Sequence, residues 1–217
     1  MKQIIDLTYT IQNGMLTYPT HYHPFTEIVQ LGRHGVENRE SRKVTFGTHT
    51  GTHIDAPRHF IENAGSVDNI SLERLVGDAR LVDFRGHEGE VTLNQFLMKI
   101  PDNFKERKII FNFGWSSRWG SMEFYNGNPY LSDELALFLV EKKVNLVGMD
   151  TPMPDNPENN RFSDNDSPIH KILLSAEVVI LEYLCNLDSL PETFELTALP
   201  LKIADADGCP VRAIARF

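Results

Sequence analysis

Cysteine is almost missing from this sequence: Cys185 and Cys209 are the only two in 217 residues, and they form no pairing pattern. The chain therefore does not depend on a disulfide framework and suits a reducing compartment, with both thiols acting as small buried hydrophobes. Long apolar runs are missing too. Nowhere do about 18 uncharged apolar residues follow one another, and the opening Met1-Lys2-Gln3-Ile4-Ile5-Asp6-Leu7 lacks the continuous apolar stretch of a signal peptide. A cytoplasmic protein with no membrane partner is expected. Basic residues are outnumbered, 21 against 30 acidic, and the resulting net charge of −9 repels a phosphate backbone while attracting metal cations. Nucleic acid is accordingly not an expected partner. There is no internal repeat, no low-complexity tract and no break in composition, so residues 1–217 read as one domain.

Short apolar or β-branched runs bounded by polar or turn residues predict strands at Gln3 to Thr10, Arg42 to Phe46, Ala79 to Phe84, Lys108 to Phe113, Val144 to Met149 and Val178 to Tyr183, with two more near the C-terminus. Helices are predicted at Thr92 to Ile100, Ser132 to Lys143 and around Pro168 to Ser175. In the second of these Ser132 can cap the start, Asp133 and Glu134 suit its positive end, and Lys142 and Lys143 suit its negative end. The pattern fits an α/β domain built on a mixed β-sheet. Two irregular stretches, Gly114 to Tyr130 and Asp150 to Asp166, exceed ordinary connector length, which marks functional or mobile loops. The rigid, aromatic segment from Leu16 to Phe25 reads equally as the lining of a pocket or as a surface loop.

The chemistry concentrates in His49-Thr50-Gly51-Thr52-His53-Ile54-Asp55-Ala56-Pro57-Arg58-His59-Phe60, which holds three of the chain's eight histidines and a carboxylate. All four are odd-numbered, so on an extended chain they share one face while Thr50, Thr52, Ile54 and Ala56 point away. A straight strand would separate His49 from His53 by about 13 Å, near the limit for sharing one ion. The chain must therefore bend, and Gly51 and Pro57 are residue types that allow it. Imidazole and carboxylate together suit zinc and other first-row divalent ions.

Further along, Glu182 interrupts the apolar run Val178-Val179-Ile180-Leu181. A buried carboxylate without a partner costs several kcal/mol or takes up a proton, so an inward Glu182 calls for a cation, whereas an edge position needs none. By spacing alone, His170 is as readily a solvent-facing histidine at a helix start as a ligand.

The His49-to-Phe60 block resembles the signature of the cyclase family of metal-dependent hydrolases, whose members include bacterial kynurenine formamidases, with isatin hydrolases as relatives. Similarity extends through Leu72 to Phe84, Gly148 to Pro152, His170 to Leu187 and Leu199 to Ala213. The resemblance implies a swivelling β/β/α fold around the mixed sheet. It implies two divalent metal ions, zinc first and manganese as an alternative, with His49 and His53 on one ion, Asp55 bridging, His170 on the other and Glu182 touching both. His59 matches a proton donor and acceptor. The implied reaction is hydrolysis of a small amide by a metal-bound hydroxide, and similar members form homodimers or larger homo-oligomers such as homotetramers. The match departs where formamidases carry Trp-Pro-Gly-Asp: here Tyr18-Pro19-Thr20-His21 stands. That loop touches substrate in the family, which makes Tyr18 the candidate substrate contact and leaves the substrate's identity open.

Two rivals remain at this point. An iron-dependent oxygenase could use His53, Asp55 and His170 as a facial triad, but this leaves His49, His59 and Glu182 idle. A non-catalytic, metal-braced binding protein could close one ion with His49, His53, Asp55 and His59. Weaker candidates are Asp150, as an orienting or turn-forming carboxylate; Arg58, as a substrate contact or a solvated side chain; and Phe25, Trp115 and Trp119, as pocket walls or core. His34 and His87 read as surface residues.

Overall fold

Buried runs such as Ile109-Ile110-Phe111 need cover on both faces, and the structure supplies it with a closed barrel inside and helices outside. The structure, a computed structural model, describes residues 2–101, 103–159 and 162–217. In chain order its strands and helices are β1 (Ile4–Asp6), β2 (Glu27–Gly32), β3 (Ser41–Thr45), β4 (His53–Asp55), α1 (Leu72–Leu75), β5 (Val76–Asp83), β6 (Glu90–Val91), α2 (Leu93–Leu97), β7 (Lys108–Asn112), β8 (Tyr130–Leu131), α3 (Asp133–Glu141), β9 (Leu146–Met149), α4 (Pro168–Ser175), β10 (Val179–Glu182), β11 (Thr193–Pro200) and β12 (Gly208–Arg216). Among the described residues no helix is long and apolar enough to cross a membrane.

The main sheet runs β1-β12-β11-β5-β7-β9-β10-β4, and it closes because β4 also pairs with β12. Strands β5, β7, β9 and β10 are mutually parallel, and the other pairings are antiparallel. This is the mixed-sheet α/β architecture expected of the cyclase-like fold. Alternation along the strands sorts the two cores. Ile110, Leu146, Val179, Leu181 and Ile54 point into the barrel. Ile109, Phe111, Val147, Met149 and Ile180 point outward, against Phe96, Leu135 and Leu173 of the helices. Burying each such side chain stabilises the fold by about 1.5–3 kcal/mol relative to exposure. Gly148 also faces inward, where a Cβ would lie 2.5 Å from Ile110 Cδ1.

The predicted strand over Gln3 to Thr10 is shorter in the structure. Strand β1 can pair only with the end of β12, Ile4 with Arg216 through Asp6 with Ile214, because β4 occupies the same side of β12 at Gly208 to Pro210. The helix at Ser132 forms as anticipated, with the Ser132 hydroxyl accepting the Leu135 N–H. The strand expected at Arg42 to Phe46 forms as β3, whereas its partner β2 had no clear signal, since most of its residues are exposed and no buried face imposes a pattern.

Of the two long loops, 150–166 includes Asn160 and Arg161, which lie outside the described residues. The other begins under the control of Asp150. This carboxylate orients no histidine; it accepts backbone N–H bonds from Phe113 at 2.9 Å, Trp115 at 2.7 Å and Ser116 at 3.3 Å. Burial pushes its pKa up to about 6, against those N–H bonds, which pull it down. Removing the acceptor strands buried donors that each cost about 1–3 kcal/mol. Asp150→Ala should therefore lower unfolding free energy by roughly 3 kcal/mol or more in urea titration; a change within about 0.5 kcal/mol would contradict this anchoring role.

Candidate metal centre

Strand β4 turns Ile54 into the barrel, so His53 and Asp55 on either side of it face outward. Strand β10 runs antiparallel beside it with Glu182 directly opposite His53, and cross-strand partners share a face. Because β10 lies between β9 and β4, Glu182 is interior to the sheet and only 4% exposed. The edge alternative for Glu182 is thereby removed. Gly51, with φ of 59°, takes the left-handed conformation that turns the preceding chain back. His49 consequently sits with its ring centroid 5.0 Å from that of His53. Pro57 then opens a 3-10 turn, Pro57–His59, which carries the His59 ring to 3.9 Å from that of His49. The shared face of an extended strand thus holds for His53 and Asp55, while His49 and His59 arrive by a bend and a turn. His170 comes from the first turn of α4 and is buried, not solvent-facing.

The donor atoms interlock. His53 Nε2 lies 3.4 Å from Asp55 Oδ1 and 3.4 Å from Glu182 Oε2. His170 Nε2 lies 3.3 Å from Asp55 Oδ2 and 3.3 Å from Glu182 Oε1. Each carboxylate therefore spans both imidazoles. The other ring nitrogens are engaged: His53 Nδ1 donates to the Gly51 carbonyl at 2.7 Å, and His170 Nδ1 donates to Asp155 at 2.5 Å. Each Nε2 faces carboxylate oxygens, a position that calls for a positive charge between them: burial opposes charge on His170, yet Asp155, Asp55 and Glu182 hold its pKa well above the usual histidine value. Both Asp55 oxygens and Glu182 Oε1 are buried without a hydrogen-bond partner, a costly state for carboxylates. With ligand bonds of about 2.1 Å, two donors on one tetrahedral ion stand about 3.4 Å apart. The residues present fit divalent cations.

Charge follows the same logic. Burial disfavours the Asp55 anion, yet His49 and His59 outweigh it and hold that carboxyl well below its usual range. Burial and the neighbouring Asp55 charge push Glu182 up. Burial also opposes charge on His49, but Asp55 and Asp207 prevail and raise it to about 10. His59 is lowered, chiefly by burial. Two carboxylates crowded together in a buried site await positive charge.

Two supporting residues escaped sequence reading. Asp155 holds His170 and also accepts the Ile169 and His170 N–H groups. Asp207 contacts His49 Nε2 at 2.7 Å and His59 Nδ1 at 3.0 Å. Nothing local marks either one, because their partners lie 15, 158 and 148 residues away.

The Cyclase family model matches residues 5–156. The chain belongs to this family. It is 32% identical over 217 residues to kynurenine formamidase of Bacillus mycoides (strain KBAB4), covering 99% of this chain and 98% of that protein. In three dimensions it resembles isatin hydrolase A from Labrenzia aggregata bound to benzyl benzoate, with a TM-score of 0.87 and 26% identity over 99% of this chain and 93% of that one. It also resembles a structure described as a potential metal-dependent hydrolase with cyclase activity, at a TM-score of 0.80 and 25% identity over 100% and 98% of the two chains.

In this cyclase-family member the centre opens into a cleft of about 490 Å³, walled by Tyr18, Tyr22, Phe60, Met153 and Phe162. The aromatic N-terminal segment is thus a pocket lining. Arg58 instead pairs with Asp205 at 2.9 Å. Trp115 is buried in the core, Trp119 stacks on Tyr9, and Phe25 is exposed, so none of them supplies the cleft wall.

Gly208 pairs with Asp55 in the sheet, and a Cβ there would lie 2.6 Å from His49 Cε1 and 2.9 Å from the Ile54 carbonyl. The backbone oxygen cannot yield cheaply, so the ring must. Gly208→Ala should cost about 1–3 kcal/mol of stability and shift the His49 ring signals in NMR spectra. An unchanged His49 environment would show that the close fit imposes no constraint.

Proposed function

We propose that this chain hydrolyses a small amide, an N-formyl aryl amine such as N-formylkynurenine or a cyclic amide, with two divalent cations held by His49, His53, Asp55, His170 and Glu182. The observation that carries this reading is the pair of buried carboxylates, three of whose oxygens lack hydrogen-bond partners, set between inward-facing imidazole nitrogens. Zinc is the first choice of ion, and manganese accepts the same donors. His49 and His53 lie on the Asp55 Oδ1 side and His170 on the Oδ2 side, which supports one ion on each side with Glu182 reaching both. Similarity to a formamidase and to an isatin hydrolase supports cleavage of a non-peptide carbon–nitrogen bond.

Divalent ions bound there supply Lewis acidity towards a carbonyl and bring the pKa of water towards neutrality. The chain's own residues manage protons and position. His59 donates Nδ1–H to Asp207, so Nε2 is its free acceptor. Burial keeps the ring neutral at working pH, the form that accepts a proton. His59 takes a proton at Nε2 from the attacking water as the C–O bond forms and returns it to the nitrogen as the C–N bond breaks. Tyr18, edge-on to Tyr125 at 5.8 Å, offers an aromatic wall to the substrate.

The oxygenase reading is disfavoured by Glu182, which stands as close to His53 and His170 as Asp55 does. The bracing reading needs His59 as a fourth ligand, and its proximity to His49 and Asp55 permits that. The open cleft beside the centre favours catalysis.

Metal analysis together with assays on N-formylkynurenine, isatin and simple cyclic imides decides among these. Two ions per chain with turnover are expected; one tightly held ion and no turnover would favour bracing. His59→Ala should lower kcat by about 10²–10⁴-fold while the metal content stays unchanged, and full residual turnover would remove His59 from the chemistry. Metal loading must also displace the proton that Asp55 and Asp207 hold on His49. Affinity should therefore rise as pH increases from the ordinary histidine value of 6.5 towards about 10, by about tenfold per unit for each proton displaced. A chelator-competition titration that is flat with pH would contradict this.

A further inference from the structure

We propose that Asp207 is a positioning residue, one carboxylate oxygen of which fixes both the tautomer and the orientation of His49 and His59. This rests on the amide-hydrolase reading for its kinetic consequence but not for its structural one. Asp207 Oδ2 lies 2.7 Å from His49 Nε2 and 3.0 Å from His59 Nδ1. A carboxylate only accepts, so both ring nitrogens must carry protons. That leaves opposite atoms to work on the two rings. His49 turns Nδ1 towards Asp55 Oδ1 at 2.8 Å, the position at which a bound ion would displace a proton, and His59 presents Nε2. In the other tautomer of either ring, a lone pair would face Asp207 and an N–H would occupy the working position.

The carboxylate is itself held by the sheet. The Asp207 carbonyl accepts the Ala56 N–H at 2.9 Å, and the next residue, Gly208, pairs with Asp55 and leaves room for the His49 ring. Asp207 is thereby tied to the same strand end that presents Asp55. One short segment at the start of β12 thus sets the orientation of a ligand on the bend before β4 and of a proton carrier on the turn after it. Asp155 does the corresponding work for His170 alone.

The test compares Asp207→Ala and Asp207→Asn with the parent protein. In metal-free protein, ¹⁵N-resolved histidine spectra should show His59 protonated at Nδ1, and Asp207→Ala should abolish that preference whether or not the chain turns over any amide. If His59 stays protonated at Nδ1 in folded Asp207→Ala, the proposal is overturned. At saturating zinc, kcat should fall by about 10–100-fold with KM changed much less, the size typical for residues that orient metal-site histidines. Asp207→Asn, which keeps an acceptor oxygen, should recover part of the loss. Introduced into His59→Ala, the same Asp207→Ala change should cost less kcat than in the parent, because only its hold on His49 is left to lose. An undiminished loss in that background would show that Asp207 does not act through His59. Absence of turnover in the parent itself would refute the amide reading and leave the spectroscopic result to judge Asp207.

Discussion

Everything distinctive in this molecule turns on two carboxylates, Asp55 and Glu182, held facing the imidazoles of His53 and His170 in a buried site. Glu182 stands opposite His53 in an antiparallel register that also places Ile54 and Leu181 inside the barrel. A one-residue slip of that register would put the hydrophobic pair into the cleft and the charged set into the core. The apolar packing of the barrel therefore does more than stabilise the fold. It keeps anionic side chains together against their own repulsion, which a cation would relieve.

Around that centre the protein arranges protons as carefully as ligands. The Gly51 carbonyl, Asp155 and Asp207 each engage one ring nitrogen and leave the other free. Because the orientation of an imidazole is set by the hydrogen bond its far nitrogen makes, these contacts decide which atoms can act. Asp207 differs from the others in serving two rings at once. It joins a candidate ligand to the candidate proton carrier through a single oxygen.

The wall of the cleft is built largely from loop residues. Tyr18, Tyr22 and Phe162 make it aromatic, and His23 sits beside Tyr18 with a pKa lowered to about 4 by burial and by the neighbouring histidines. The wall is separate from the barrel strands that carry Asp55 and Glu182. The loops can therefore vary while the strands keep His53, Asp55 and Glu182 in place.

The histidine-rich block, its need to bend at Gly51, the demand of an inward Glu182 for a cation and the main strand and helix runs were legible in the residues alone, because each follows from local periodicity or from the cost of burying charge. Strand β2 was not, since an exposed ribbon leaves no periodic mark. Nor were the tasks of Asp150, Asp155 and Asp207. All three are aspartates in turns, alike in sequence, and they differ only in what closure of the barrel sets against them: the backbone N–H groups of Phe113, Trp115 and Ser116, one histidine, or two. Side-chain chemistry is written one residue at a time, whereas a hydrogen bond between positions 158 apart exists only once the chain has folded.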